Sequence, residues 1–97
     1  MAHSSMLDCL IHVNDDVLSQ ELNGEAVLLN LKTGVYFGLD AVGTRVWQLF
    51  SERQAVAHVL DALVAEYDVP REQCSHDLLA LIAKLQDHGL VTLSDPA

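Results

Sequence analysis

Residues 31–50 read LKTGVYFGLDAVGTRVWQLF. Over the first part of this stretch Val35, Phe37 and Leu39 recur every second residue, and beyond Asp40 the apolar spacing lengthens to about 3.6, so the chain passes here from strand to helix. Asp40 sits where an N-cap is needed, its carboxylate able to accept the orphan backbone N–H groups of the first helical turn. Upstream, Val27, Leu29 and Leu31 share one face of an incoming strand. A two-residue loop would set Leu31 opposite Tyr36 and Asn30 opposite Phe37, mixing polar and apolar faces. A three-residue loop sets Leu31 against Val35, Leu29 against Phe37 and Val27 against Leu39, with Gly34 left-handed in a bulge. The expected register is the second, which leaves Tyr36 and Gly38 on the face opposite the apolar row.

Working outward, CLIHV and VLSQEL read as short extended segments separated by the turn cluster Asn14-Asp15-Asp16. Asn23-Gly24 is a strong hairpin signal because both residues tolerate positive φ. After Asp40 a first helix is expected to bury Val42, Val46 and Trp47 with Leu49 or Phe50. Ser51 is the expected cap of a second helix, with Val56, Leu60, Leu63 and Tyr67 along its buried stripe. Asp68-Val69-Pro70 breaks that helix, and Pro70 suits the first turn of a third, where its missing N–H costs nothing. Gly89 ends the third helix as a left-handed cap, and Leu90 to Leu93 form a last extended segment. The expected fold is α+β and winged-helix-like: an N-terminal three-stranded antiparallel sheet, a meander, followed by a three-helix bundle. It forms one domain over residues 1–97, with residues 1–8 loose.

Composition narrows the function. The 97 residues carry 14 acidic against 5 basic side chains, a net charge of −9. Phosphate backbones and anionic membranes repel such a chain, so neither nucleic acid nor membrane is an expected partner. A third helix with Arg71 and Lys84 against Glu72, Asp77 and Asp87 is a poor major-groove reader, which weighs against a winged-helix DNA binder. No apolar run is long enough to cross a bilayer, and MAHSSMLDC lacks the features of a secretion signal, so a cytoplasmic location is expected. Cys9 and Cys74 are read as free thiols. No G-x-S-x-G, H-E-x-x-H or glycine-rich phosphate loop occurs, and His12, His58, His76 and His88 are not clustered as ligands. The chain is therefore read as a non-enzyme with no cofactor and no metal.

A mean hydropathy of +0.23 is high for so short a chain and points to apolar surface kept for docking. The third helix offers two stripes. Leu78, Ile82 and Leu85 are core, while Cys74, Asp77, Leu81 and Lys84 form an adjoining stripe that is either a solvated flank or one wall of a groove. In a simple meander the strand GVYFGL is outermost, with neither charge nor proline to discourage pairing. Such an edge is covered by a helix, pairs with a second copy of the chain, or accepts a strand from a guest peptide.

The run EAVLLNLKTGVYFGLDAVGTRVWQLF and the ending DLLALIAKLQDHGLV resemble the PqqD-like peptide chaperones, or recognition elements for ribosomally made, modified peptides. The match is most like the stand-alone leader-binding proteins of lasso-peptide pathways. The resemblance runs from about Glu21 to Leu93 and is carried by TGVYFGL with Asp40, Gly43 and Trp47, and by Asp77-Leu78, Leu81-Ile82 and Leu85 to Val91. It implies a domain that takes the leader of a precursor peptide as an added strand beside the third strand of the meander and against the third helix. It further implies that the domain presents this leader to a separately encoded maturation enzyme such as a leader peptidase. On this chain the implied peptide-binding residues are Val35, Tyr36, Phe37, Cys74, Asp77, Leu81 and Lys84, although parity also allows Tyr36 and Phe37 to be plain core. The competing reading is an acidic winged-helix module for homodimerisation or regulation that binds no leader.

Overall fold

Two turns of different geometry assemble the main sheet. The computed structural model describes residues 6–52 and 55–95. After a 3-10 turn at Met6–Asp8, the order is β1 (Leu10–Val13), β2 (Val17–Leu22), β3 (Glu25–Asn30), β4 (Val35–Gly38), α1 (Ala41–Glu52), α2 (Val56–Glu66), α3 (Arg71–Asp87) and β5 (Val91–Ser94). Strands β2, β3 and β4 form the antiparallel meander, and β1 pairs with β5 in a separate two-stranded sheet. Thus CLIHV stands outside the meander and meets the final extended segment, with Ile11 opposite Leu93 and Val13 opposite Val91. Of the residues expected to be loose, 1–5 lie outside the described residues.

At the first hairpin Asn23 (φ 56°) and Gly24 (φ 81°) are both left-handed. That is the geometry of a type I′ turn, whose twist matches that of the strands it joins. The second hairpin corrects the expected register. Leu28 pairs with Phe37, Leu29 with Tyr36 and Asn30 with Val35, across a turn of residues 31–34. The inward face of β3 is therefore Ala26, Leu28 and Asn30, at 1%, 0% and 4% exposure, while Leu31 is exposed. A polar residue has displaced an apolar one from the core because it is satisfied there. The Asn30 Oδ1 accepts from the backbone N–H groups of Lys32 and Thr33, and its Nδ2 donates to the carbonyls of His88 (3.1 Å) and Gly89 (3.2 Å). Asn30 thus stabilises the turn and ties it to the C-terminal end of α3, where Gly89 has φ 69°.

The three helices cover the inward face, with Val46, Leu49 and Phe50 of α1, Val56, Val59, Leu60 and Leu63 of α2, and Leu78, Ile82 and Leu85 of α3 all buried. Each such side chain contributes roughly 1.5–3 kcal/mol of transfer free energy. Asp40 caps α1 as expected, its Oδ1 accepting from the Gly43 N–H at 2.7 Å. Three local expectations need correction. Val42, on the first turn of α1, is 50% exposed rather than core, and Trp47 is only partly buried, packed edge-on against Phe50. Ser51 lies within α1, where its hydroxyl donates to the Gln48 carbonyl, and does not cap α2. The first turn of α2 relies on backbone instead: Val56 N–H donates to the Cys9 carbonyl at 3.0 Å. Pro70 occupies the N-cap of α3, one residue before its first turn.

Helices α1 and α2 are clamped by Arg45, which donates from Nε to Glu66 Oε1 and from Nη2 to Glu66 Oε2, both at 2.7 Å. These bonds raise the guanidinium pKa and hold it charged, overcoming the opposing effect of burial with further help from the charges of Glu66 and Glu52. Helix α1 is also stitched to β3. The buried Thr44 Oγ1 accepts the Ala26 N–H at 2.7 Å, taking the place of the next rung of the β3–β4 ladder. A Thr44→Val substitution keeps the shape but leaves that N–H without an acceptor, and should cost about 1–3 kcal/mol. Urea titration of the variant checks this, a midpoint equal to that of the parent counting against it.

Candidate functional site

Antiparallel pairing decides which backbone groups of β4 are spent and which remain. The Leu39 N–H donates to the Ala26 carbonyl at 2.8 Å. Rungs alternate along an antiparallel pair, so Phe37 and Val35 also direct their backbone groups toward β3, whereas the N–H and C=O of Tyr36 and Gly38 point the other way. Among the described residues no strand pairs with that outer edge. Tyr36 is 69% exposed, and a Cβ built on Gly38 would meet nothing within 4 Å. Glycine in a strand interior often marks a place where another backbone comes close.

Beside this edge lies a groove of about 630 Å³. Its floor and walls come from Phe37 to Asp40 at the end of β4, Val42, Gly43 and Val46 of α1, Leu63 and Tyr67 at the end of α2, Val69, and Gln73, Cys74, Asp77, Leu78, Leu81 and Lys84 of α3. Local chemistry explains why it stays open. Tyr67 and Val69 lie in the non-helical connection that Pro70 enforces. Phe37 leans edge-on against His88, ring centroids 4.9 Å apart, and the His88 Nδ1–H donates to the Lys84 carbonyl at 2.7 Å, fixing the Phe37 end of the groove to the last turn of α3. The lining is chiefly apolar, with carboxylates at Asp40 and Asp77 and an ammonium at Lys84. Burial, and secondarily the charge of Asp77, raise the Cys74 thiol pKa against a smaller opposing effect of Arg71, so the thiol is a neutral, weakly polar part of the wall.

Of the residues singled out from the sequence, Phe37, Cys74, Asp77, Leu81 and Lys84 line one groove. Val35 and Tyr36 do not. They lie on β4 next to it, exposed at 41% and 69%. Sequence reasoning missed Leu39, Val42, Leu63, Tyr67 and Val69. Val42 has the helical period of a core residue, yet it is exposed on the first turn of α1 and lines the groove. The chain-breaking segment 68–70 gave no sign that Tyr67 and Val69 would face the edge of a strand thirty residues earlier. Among the described residues no cluster of His, Cys, Asp and Glu could hold a metal ion, and no helix is long and apolar enough to cross a membrane.

This geometry can be set beside known proteins. Residues 25–91 match the family model for coenzyme PQQ synthesis protein D, PqqD. A curated relative, the PqqA binding protein of Bradyrhizobium diazoefficiens, is 36% identical over 53 residues, which are 55% of this chain and 52% of that protein. The chain thus spans about half the length of that relative. Among solved structures it is similar to TbiB1 in complex with the TbiA(beta) leader peptide, with 41% identity, a TM-score of 0.77, and coverage of 88% of this chain and 96% of that one. It also shares the fold of lasso peptide synthetase B1 complexed with the leader peptide, at 23% identity and a TM-score of 0.76, covering 84% and 96% of the two chains.

Proposed function

Since the chain belongs to the PqqD family, we propose that it captures the leader segment of a ribosomally made precursor peptide, as a strand added to the outer edge of β4 and lodged against α3. The observation that carries this reading is the pair of outward backbone stations at Tyr36 and Gly38, which no strand among the described residues pairs with, beside the apolar groove. Main-chain bonds to these stations supply affinity without reading sequence, and the groove selects alternate guest side chains. The other sheet edge, β2, contributes no residue to the groove. The peptide-binding residues in this reading are Val35, Tyr36, Phe37, Cys74, Asp77, Leu81 and Lys84, joined by Gly38, Val42 and Tyr67. The relatives at 41% and 36% identity, described by their leader peptide and by PqqA binding, support it.

The captured leader is then presented to a separately encoded maturation enzyme, a leader peptidase of a lasso-peptide pathway being the closest fit. In this reading the chain acts by binding and not by catalysis, in the cytoplasm, where cysteine thiols are kept reduced.

Fluorescence anisotropy with a labelled synthetic copy of the leader encoded beside this chain tests the proposal. The expected Kd is about 1 μM or tighter, near −8 kcal/mol. A chain that forms dimers through β4 and ignores this peptide would instead favour the self-association reading. Leu81→Ala should weaken capture about tenfold, through loss of roughly 1–2 kcal/mol of apolar contact, and leave the melting temperature nearly unchanged because Leu81 is only partly buried. Unaltered affinity in that variant would remove α3 from the site.

A further inference from the structure

The cations of this acidic chain are almost all in use. Its Lys and Arg residues number 5, of which Arg53 lies outside the described residues. Lys32 meets Asp16 at 3.9 Å, Arg45 is clamped by Glu66, and Arg71 meets Asp61 at 2.8 Å. Among the described residues Lys84 is the one Lys or Arg with no carboxylate within ion-pair distance, in a chain whose net charge is −9. Lys84 lines the groove. The negative end of the α3 dipole accounts for a cation in the last helical turn, but not for leaving it unpaired on the wall of a docking groove.

The charges along the groove are ordered. The His88 contacts hold the Lys84 turn level with Phe37, and the Asn30 contacts bring the start of β4 to the same end of α3. Asp77 lies two helical turns back, ~10 Å along the axis at 1.5 Å per residue, and lines the same groove. An extended guest rises ~3.3 Å per residue, so side chains two and four positions apart on one of its faces, ~7 and ~13 Å, bracket that separation. The α3 wall of the groove is thus cationic at Lys84, apolar at Leu81 and anionic at Asp77.

We infer that the guest strand carries a carboxylate side chain that meets Lys84 at the Phe37 end, and a neutral or basic residue opposite the Asp77 turn of α3. The inference rests on the leader-binding reading and adds a charge order to it. Charge fixes the register of the guest, because a slip of two residues draws its carboxylate away from Lys84 and toward Asp77, where like charges repel.

A random extended-peptide display library, selected on the full chain and on its Lys84→Glu variant, tests this without knowledge of the natural guest. The exposed position of Lys84 should leave the variant folded, with at most a small loss from the helix dipole, which a thermal melt checks. The wild-type chain should enrich peptides bearing Asp or Glu at a fixed offset from an apolar pair, and the variant should enrich Lys or Arg at that offset. For one selected peptide, replacing its acid by the amide should weaken wild-type binding about five- to tenfold. Enrichment of apolar peptides with no acidic preference, or a preference that Lys84→Glu does not alter, overturns the charge inference and leaves leader capture standing. No enrichment of any extended peptide overturns both.

Discussion

A Tyr36→Pro variant will remain folded and lose its guest. The Tyr36 N–H points away from β3, so proline removes a donor that no internal rung uses, and proline is tolerated at such positions of edge strands. The same donor is what a guest carbonyl would take. Without it that carbonyl is left buried and unpaired, a penalty of about 1–3 kcal/mol, to which the ring adds a steric obstacle. The expected outcome is a Kd raised at least 10- to 100-fold, with a melting temperature lowered by no more than about 8 °C, the shift that 1 kcal/mol produces in a domain of this size. Phe37→Pro is the matched contrast. Its N–H faces Leu28 within the sheet and its side chain is partly buried, so this substitution should unfold the domain. If Tyr36→Pro kept full leader affinity while folded, the guest would not lie on β4; if Phe37→Pro were the tolerated one, the observed register would be wrong.

The second large effect is expected at Asn30. Its side chain makes bonds in both directions, accepting from the turn and donating to the His88 and Gly89 carbonyls. Asn30→Asp preserves the shape and reverses the second half of this arrangement, pressing a buried carboxylate against two carbonyl oxygens. The cost at neutral pH should exceed about 3 kcal/mol, comparable to stranding one partner of a buried ion pair and a large fraction of the 5–15 kcal/mol that holds a typical domain together. The sign of its pH dependence follows. Folding raises the pKa of the introduced carboxylate above its unfolded value near 4, so the deficit is full above the raised value and fades as pH falls toward 4. Chemical denaturation at pH 7 and pH 4 measures both, and an Asn30→Asp variant equally stable to its parent at pH 7 would show that the turn does not depend on this side chain. Gly89→Ala attacks the same junction from the other side, since a Cβ there would lie 2.8 Å from the Asn30 Nδ2 and φ is +69°. It should be destabilised in parallel.

These two residues mark the boundary between what was legible in the sequence and what was not. The Asn23-Gly24 turn, the Asp40 cap, the Gly89 helix stop and the buried stripe Leu78, Ile82, Leu85 are written in spacing and backbone preference over a few residues, and the structure has them where the sequence puts them. The outer wall of α3, from Cys74 through Asp77 and Leu81 to Lys84, was equally readable as a second face. The register of β3 on β4 was not. Parity argued for burying Leu29 and Leu31, but the turn is set by Asn30 reaching His88 and Gly89, 58 and 59 positions away. The pairing of β1 with β5, and the use of the Cys9 carbonyl to begin α2 in place of a Ser51 cap, are of the same long-range kind.

The amino-acid sequence by itself determined the element types, the acidic character, the uncharged outer strand and the helical stripe beside it, because each depends on neighbours within one or two turns of chain. Tertiary structure alone decided which backbone groups of β4 face outward, that Tyr67 and Val69 line the groove, and that Lys84 lines it with no ion-pair partner among the described residues. Those properties depend on contacts between segments whose separation in sequence leaves no periodic trace, and they arise only when a buried amide finds its carbonyls across the fold.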